Sequence, residues 1–370
     1  MIKSVLRALF LCLMGWSAAQ AATQQEACRA VGKLVPICGL KGSEDLEVLP
    51  GGRALLISQS RVDVTRPPAM DWLPGSIAVL DLATRKPRVL YPAKTAGSGR
   101  NTWGDPACPG EIGTTLAPHG LFLSRRSDGN LQLLVVNHGG RESVEFFEVT
   151  GKGSHAKLAW RGCAVAPEFS FLNDVAALPD DGFLVTSMTH NDGPEAMFRD
   201  RPKAEAGENT GLVWRWQRGT GFSRQPGGDA PMPNGLQVDK AGRTLYLNVS
   251  VTHGGGVRKV DIATGKVLGF AELPNPDNSS WSEDGRLLVA GIVPDADVLP
   301  CVKVGFQHPC GARSRITAVD PEIMRTELLL EHEGLPMGLF TGVVQVGGFL
   351  YIGSTSVDRI LRVPMPKPGK

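Results

Sequence analysis

The stretch Leu116-Ala-Pro-His119-Gly-Leu-Phe-Leu123, then Asp128-Gly129, then Leu133-Leu-Val-Val-Asn-His138-Gly-Gly140, decides how the chain is read. A polar residue opens an apolar strand, a Gly turn reverses it, and a second apolar strand ends on another polar residue. Two β-rich runs around an Asp-Gly turn are a hairpin signature. A single hairpin of this kind would carry little weight. Variant spellings of the unit recur, each with a different metal-ligating or acid–base side chain where His119 stands. They open at Glu44, Asn173, Asn234, Asp277 and Thr341, with turns at Gly52, Gly182, Gly242, Gly285 and Gly348. In chain order, with His119 second, opening and turn glycine are 8, 10, 9, 8, 8 and 7 residues apart.

Successive openings are separated by 75, 54, 61, 43 and 64 residues, and loops must absorb the difference. Every interval has room for two further strands, and third-strand candidates stand at 76–81, 143–149, 211–216, 256–261, 314–319 and 358–363. An all-β repeat of this length with a Gly turn in each copy reads as a propeller blade. The expectation is an all-β, six-bladed β-propeller. Linker-like sequence is lacking between the copies, which predicts one domain over 22–370.

Residues 1–21 read as a secretory signal. A basic Met1–Arg7 segment precedes an apolar run, Ala8–Trp16, and Ala19-Gln-Ala21 supplies small residues for cleavage after Ala21. The run is well short of the roughly 18 residues that a spanning helix needs, so no transmembrane helix is expected after cleavage. The expected location is exported, periplasmic or secreted. Cleavage would remove Cys12 and leave Cys28, Cys38, Cys108, Cys163, Cys301 and Cys310, an even set that suits disulfides. Sequence proximity favours 28–38, 108–163 and 301–310. A zinc site is the weaker reading, because no CxxC pair or nearby HxxxH is present. A net charge of +2 without a basic block gives no case for a nucleic-acid partner. Gly 45 and Pro 27, spread along the chain, predict many turns.

The innermost strands of a propeller run along its central channel, so equivalent positions of all blades face one axis. That places Glu44, His119, Asn173, Asn234, Asp277 and Thr341 at one mouth, with Asp45, Asp174 and Asn278 beside them. Carboxylates and amides converging there make a poor electrostatic neighbourhood without a cation. Oxygen donors of mixed charge suit a hard ion, and their number suits calcium better than magnesium. His119 and Thr341 are expected outside the coordination shell.

On these residues the chain resembles the paraoxonase/arylesterase family, within the broader gluconolactonase and strictosidine synthase-like group. The matching strings are Gly42-Ser-Glu-Asp-Leu-Glu-Val-Leu-Pro50, Pro118-His-Gly120, Leu134-Val-Val-Asn-His138, Leu172-Asn-Asp-Val175, Pro233-Asn-Gly235 and Asp277-Asn278, in register over about residues 38 to 363. The resemblance implies a six-bladed propeller with two calcium ions. A catalytic ion would be held by Glu44, Asn173, Asn234, Asp277 and Asn278. A structural ion would take Asp45, Asp174 and the carbonyl of Leu121. His119 and His138 match the family's histidine pair. One departure concerns ring closure: in the family the cysteine matching Cys38 bonds one near the C-terminus, whereas here no cysteine follows Cys310, which leaves Cys28 as the nearest partner. The segments 188–211 and 294–313 look individual to this chain, so a specific substrate does not carry over.

The expected activity is calcium-dependent hydrolysis of lactones or aryl esters, a small-molecule carboxylic-ester hydrolase. Calcium would polarise the carbonyl and His119 would activate water, oriented or recharged by His138. A nucleophile elbow of the Gly-x-Ser-x-Gly type does not occur in the chain, so a serine hydrolase has no support. The bland readings are a histidine that only hydrogen-bonds a ligand carboxylate, and Asn or Asp residues that only cap turns. The competing classes are a strictosidine synthase-like condensing enzyme, needing no metal, and a non-catalytic propeller that binds a partner on one face, whose His119→Ala variant would lose nothing beyond stability. Trp72, Trp103, Trp160 and Trp281 are expected to pack between blades, and His190 is the remaining histidine with reach to the mouth. Oligomeric state is not legible.

Overall fold

The computed structural model describes residues 28–63, 71–92, 100–189, 196–294, 301, 310–355 and 357–366. The signal segment and His190 lie outside them. The described chain is an all-β propeller, in which consecutive antiparallel strands meander outward within each sheet. Four sheets have four strands each. They are β6 (Pro118–Arg125), β7 (Leu131–Asn137), β8 (Ser143–Thr150) and β9 (Lys157–Val165); β10 (Leu172–Ala177), β11 (Phe183–Ser187), β12 (Leu212–Gln217) and β13 (Gly221–Arg224); β14 (Pro233–Val238), β15 (Thr244–Val249), β16 (Gly256–Asp261) and β17 (Val267–Glu272); and β18 (Pro276–Trp281), β19 (Leu287–Ile292), β20 (Ser314–Val319) and β21 (Thr326–His332).

A fifth sheet has eight strands. One part is β2 (Ser43–Val48), β3 (Ala54–Asp63), β4 (Asp71–Asp81) and β5 (Pro87–Tyr91); the other is β22 (Phe340–Val346), β23 (Phe349–Ser354), β24 (Arg359–Pro364) and the N-terminal β1 (Val35–Cys38). The two parts join through the single residue pair Ser43 and Ser354. The N-terminal β1 pairs antiparallel with β24, from Val35 opposite Arg362 to Cys38 opposite Arg359. The third-strand expectations correspond to β4, β8, β12, β16, β20 and β24.

The inner strands β2, β6, β10, β14, β18 and β22 lie each against the next, and β22 against β2, so they close a ring. Apolar clusters fill the gaps between neighbouring sheets. Leu56, Ile77 and Val79 meet Leu133, Val135 and Phe147, while Leu134 and Phe146 meet Val175, Phe183 and Trp216. Inner and second strands are buried on both faces, as in β10, β11 and β14, and accordingly read as apolar runs. Outer strands such as β17 and β21 expose most of their residues to solvent.

Hairpin turns use the left-handed region where tight reversal demands it. Gly129 has φ 85°, and in the third hairpin the strained position falls on Asp181, φ 63°, one residue before the expected Gly182. The cysteines pair 28–38, 108–163 and 301–310, as proximity predicts. Such bridges are sustained in oxidising compartments. Within the described residues no helix is long and apolar enough to cross a membrane.

Candidate metal and acid–base site

All six inner strands break their pairing register at the same point. The irregularities fall between Ser43 and Leu46, Pro118 and Leu121, Leu172 and Val175, Pro233 and Leu236, Pro276 and Ser279, and Phe340 and Val343. Inside them sit the pairs Glu44-Asp45, His119-Gly120, Asn173-Asp174, Asn234-Gly235, Asp277-Asn278 and Thr341-Gly342. A bulge bends the strand and re-aims a side chain that regular pleating would direct elsewhere. The residues that open the sequence repeat are therefore structurally equivalent.

The second member of each pair alternates around the ring between a polar side chain and glycine. A Cβ on Gly120 would stand 2.6 Å from the Asp174 Cα, one on Gly235 2.7 Å from the Asn278 Cα, and one on Gly342 3.3 Å from Asp45 Oδ1. Each glycine thus makes room for the polar residue of an adjoining inner strand. Asp45 accepts the backbone N–H groups of Leu46 and Leu121, both at 2.8 Å. Asp174 accepts those of Val175 at 2.8 Å and Leu236 at 2.9 Å. Carboxylates here satisfy the inner edges of neighbouring strands, which have no strand partner on the channel side.

Above this layer, Asn278 Nδ2 donates to Glu44 Oε1 at 2.7 Å, and the Thr341 hydroxyl donates to the Glu44 carbonyl at 2.6 Å. The Asn234 side chain hydrogen-bonds Asp277. Asn173 directs its Nδ2 at Met188 Sδ, 3.2 Å away, rather than at another ring residue. Glu44 Oε2, Asn173 Oδ1, Asn234 Oδ1 and Asn278 Oδ1 are buried and have no hydrogen-bond partner among the described residues. Their residues are only 2–6 % exposed. Four orphaned acceptor oxygens within these strand irregularities are an arrangement that costs free energy unless a cation or donor meets them.

Charge gives the same picture. Burial first, then the charges of Asp45, Asp277 and Asp174, hold Glu44 well above the carboxylate range, against the Asn278 hydrogen bond. Burial pushes Asp45 and Asp277 each to about 7. Glu47, two residues beyond Asp45 on β2, is raised to about 8 by burial and by Asp45. Asp174 is also raised, by burial and then by Asp45. Among the described residues no lysine or arginine pairs with any of these acids; the ion-pair partner within reach is His119, whose Nε2 lies 3.5 Å from Glu44 Oε1.

The donor chemistry fits a hard, oxygen-loving ion: one or two carboxylates with several neutral carbonyl oxygens. No group of three or more His, Cys, Asp or Glu side chains among the described residues is disposed to hold a metal, so an ion here would rest largely on amide oxygens. The fit is fuller for Glu44, Asn173, Asn234, Asp277 and Asn278. In the lower set, Asp45 and Asp174 already accept backbone donors on both oxygens, and the Leu121 N–H is one of those donors.

His119 opens β6 and His138 follows β7, which brings His119 Nδ1 to 3.0 Å from His138 Nε2. His138 Nδ1 then faces Glu142, 3.0 Å from Oε1 and 2.9 Å from Oε2. Burial, with a smaller contribution from His138, holds the His119 imidazole well below its usual range. Burial thus favours the uncharged ring, in which one nitrogen carries a lone pair. The ordered loop after β7 is built on Asn137. Its Nδ2 donates to the carbonyls of Gly139 at 3.1 Å and Arg141 at 2.8 Å, and its Oδ1 accepts the Ala117 N–H at 3.0 Å.

Trp72 departs from the expectation of packing between blades. Its ring stacks on His138 with centroids 4.0 Å apart, and lies 5.0 Å from His119. The cause is an extension of the β3–β4 hairpin, where Val62 pairs with Trp72 beyond a register shift. Part of the long first interval is spent on that extension. Trp103, Trp160 and Trp281 do pack in the body, Trp160 donating to buried Glu145 at 2.7 Å and Trp281 to the Val238 carbonyl at 3.1 Å. In the individual segment 188–211, helix α1 (Ala196–Glu205) packs through Ala204 and Met197 on the cluster holding Met188 and Met232. Arg201 donates to Asn275 Oδ1 at 2.7 Å, and Glu205 accepts the Thr252 N–H at 3.0 Å. The helix is thereby tied to the loop just ahead of Asp277. Glu142 and Trp72 are the site neighbours that sequence reasoning missed. Glu142 stands four residues after His138, a spacing without meaning until the intervening loop is seen to turn back.

No family model matches the chain, and no curated protein matches it. Among solved structures it is similar to a luciferin-regenerating enzyme at 15% identity and TM-score 0.50, covering 88% of this chain and 92% of that one. A candidate gluconolactonase aligns at 12% identity and TM-score 0.49, over 91% and 93% of the two chains. Regucalcin from Agrobacterium tumefaciens, described as a calcium-binding protein, aligns at 14% identity and TM-score 0.49, over 92% and 95%. At such identities the similarity to the luciferin-regenerating enzyme is one of fold.

Proposed function

We propose that this chain is an exported, paraoxonase-like hydrolase of lactones or aryl esters that depends on calcium. In this reading the eight-stranded sheet counts as two blades, giving six around one channel within a single domain. The observation that carries it is the set of four buried, partnerless oxygens, on Glu44, Asn173, Asn234 and Asn278, beside the largely buried His119. Glu44, Asn173, Asn234, Asp277 and Asn278 would hold a catalytic ion. Asp45, Asp174 and the Leu121 carbonyl would hold a structural one. When bound, the upper ion would supply polarisation of the scissile carbonyl and compensation for the oxygen that becomes anionic.

The rest falls to the chain's own groups. His119 Nε2, at the mouth beside Glu44, accepts a proton from water as that water attacks the carbonyl carbon. Its Nδ1 proton is shared with His138 Nε2, so positive charge spreads over two rings rather than one. Trp72 and Phe171 cover His138 and keep bulk water from this pair. The proton is returned to the leaving alkoxide or phenoxide, completing hydrolysis without a covalent enzyme intermediate.

The test is a panel of lactones and aryl esters assayed after EDTA treatment and again after calcium is restored. Loss and recovery of hydrolysis, with the chain folded throughout, is the expected result. Hydrolysis indifferent to chelation would end the metal-assisted reading.

A further inference from the structure

Glu142 belongs to no ligand set and is not needed by the reading above, yet it touches the histidine pair. The four groups form a row. Glu44 Oε1 lies 3.5 Å from His119 Nε2, His119 Nδ1 is 3.0 Å from His138 Nε2, and His138 Nδ1 is 2.9 Å from Glu142 Oε2. With one N–H proton on each ring, two protons serve these three gaps, so one gap stays without a proton. If the protons point toward Glu44, a ring lone pair at His138 Nδ1 faces a carboxylate at 2.9 Å, within hydrogen-bond range and repulsive. If they point toward Glu142, the unfilled gap is the 3.5 Å one, beyond a good hydrogen bond, where repulsion is weaker.

We propose that Glu142 is a positioning residue that sets the direction of the proton chain, so that His119 presents its Nε2 lone pair to the reaction site. This rests on the hydrolase reading for its purpose, though not for its geometry. Glu142 is itself held: its Oε1 accepts the Leu172 N–H at 2.6 Å from the strand that carries Asn173, and its carbonyl accepts the Ala166 N–H at 2.9 Å. The neighbouring Arg141 is drawn away by a bidentate contact with buried Glu145, at 2.9 and 3.0 Å, and does not compete for Glu142. The Trp72 and Phe171 rings both pack on His138, whose side chain is 1% exposed. A proton arriving on that ring during turnover therefore meets Glu142 as its one nearby counter-charge among the described residues. During turnover His119 takes the water's proton at Nε2 and passes its Nδ1 proton to His138 Nε2. His138 keeps its own Nδ1 proton on Glu142, and the sequence reverses when the leaving group is protonated.

The deciding experiment is ¹⁵N NMR of histidine-labelled protein, assigned with His119 and His138 variants, alongside kinetics of Glu142→Gln. In the wild type both rings should carry their proton on Nδ1, leaving each Nε2 unprotonated. In Glu142→Gln, whose amide can accept or donate, His138 should become a mixture of tautomers. Its kcat should fall roughly 10–100-fold with KM changed less than about twofold, as for other groups that orient a working histidine. Glu142→Asp, which restores the charge on a shorter arm, should recover part of that loss. A wild-type His138 protonated on Nε2, or a Glu142→Gln variant with unchanged tautomers and kcat, overturns the proposal. The wild-type spectrum decides the direction even if a variant is unstable. Failure of every lactone and ester would sink the hydrolase reading while leaving this spectrum as it is.

Discussion

Stripping divalent ions from the protein and raising the pH should weaken it, and the size of the effect follows from the buried acids. Asp45 and Asp277 have folded-state values near 7 against an ordinary 3.8, each equivalent to ~4 kcal/mol. The sign follows from proton counts. A folded value above the unfolded one means the native chain binds more protons, so stability is present at low pH and lost as pH rises from about 4 to about 7. The two groups belong to one interacting set, so the combined loss lies between ~4 and ~8 kcal/mol rather than at a simple total. At roughly 2 °C per kcal/mol for a chain of this size, chelated protein should melt on the order of 10 °C lower at pH 8 than at pH 5. Carboxylates held low by arginine partners, such as Asp200 beside Arg199 and Asp284 beside Arg286, act in the opposite sense below about pH 4, whereas His119, held low by burial, opposes the trend below about pH 6.5 and reduces the difference. Calorimetry in EDTA and in calcium at pH 5, 6, 7 and 8 measures both curves. Calcium should raise Tm strongly at pH 8 and little at pH 5, because protons and the ion compete for the same oxygens. A calcium increment independent of pH, or a chelated protein equally stable at pH 5 and pH 8, would refute the reasoning.

Further outcomes follow from the same geometry. His119→Gln should lower kcat by roughly 10²–10⁴-fold while the melting temperature stays within a few degrees, checked by kinetics and calorimetry on one preparation. With calcium saturating, the acid limb of the kcat profile should fall below the ordinary histidine value of about 6.5, because burial holds His119 low; a limb above 7 would exclude His119 as the base. Gly120→Ala would force its Cβ to 2.6 Å from the Asp174 Cα, costing ~1–3 kcal/mol in urea unfolding and weakening calcium binding by titration calorimetry. Trp72→Ala should cost ~1 kcal/mol of ring stacking and raise KM more than it lowers kcat.

Much of the propeller was legible because repetition makes weak local signals add up. A polar residue before an apolar strand means little once, but six copies in register predicted the equivalence later seen in six strand irregularities. The alternation of Asp45, Asp174 and Asn278 with Gly120, Gly235 and Gly342 was also present in the sequence, though its meaning needs the neighbouring strand in view. The site's other half was hidden for physical reasons. Glu142 reaches His138 through a loop that folds back on Asn137, and no periodicity encodes such a path. Trp72 reaches the histidines only because its hairpin runs on past the body of the sheet. Ring closure was hidden too: the lack of a cysteine after Cys310 excluded the family's covalent route without indicating that β1 would pair with β24.

That pairing has a kinetic consequence. One sheet is completed by a strand from the start of the chain laid against strands from its end, so it cannot form until synthesis has reached Pro364. Until then, β1 and the edge of β23 that faces β24 are without their partner. Contacts between residues so distant in sequence are slow to form, and once formed they open slowly. A truncation that removes β24 should therefore yield aggregates rather than a slightly less stable protein, and the intact ring should resist proteases for longer than its equilibrium stability alone would suggest.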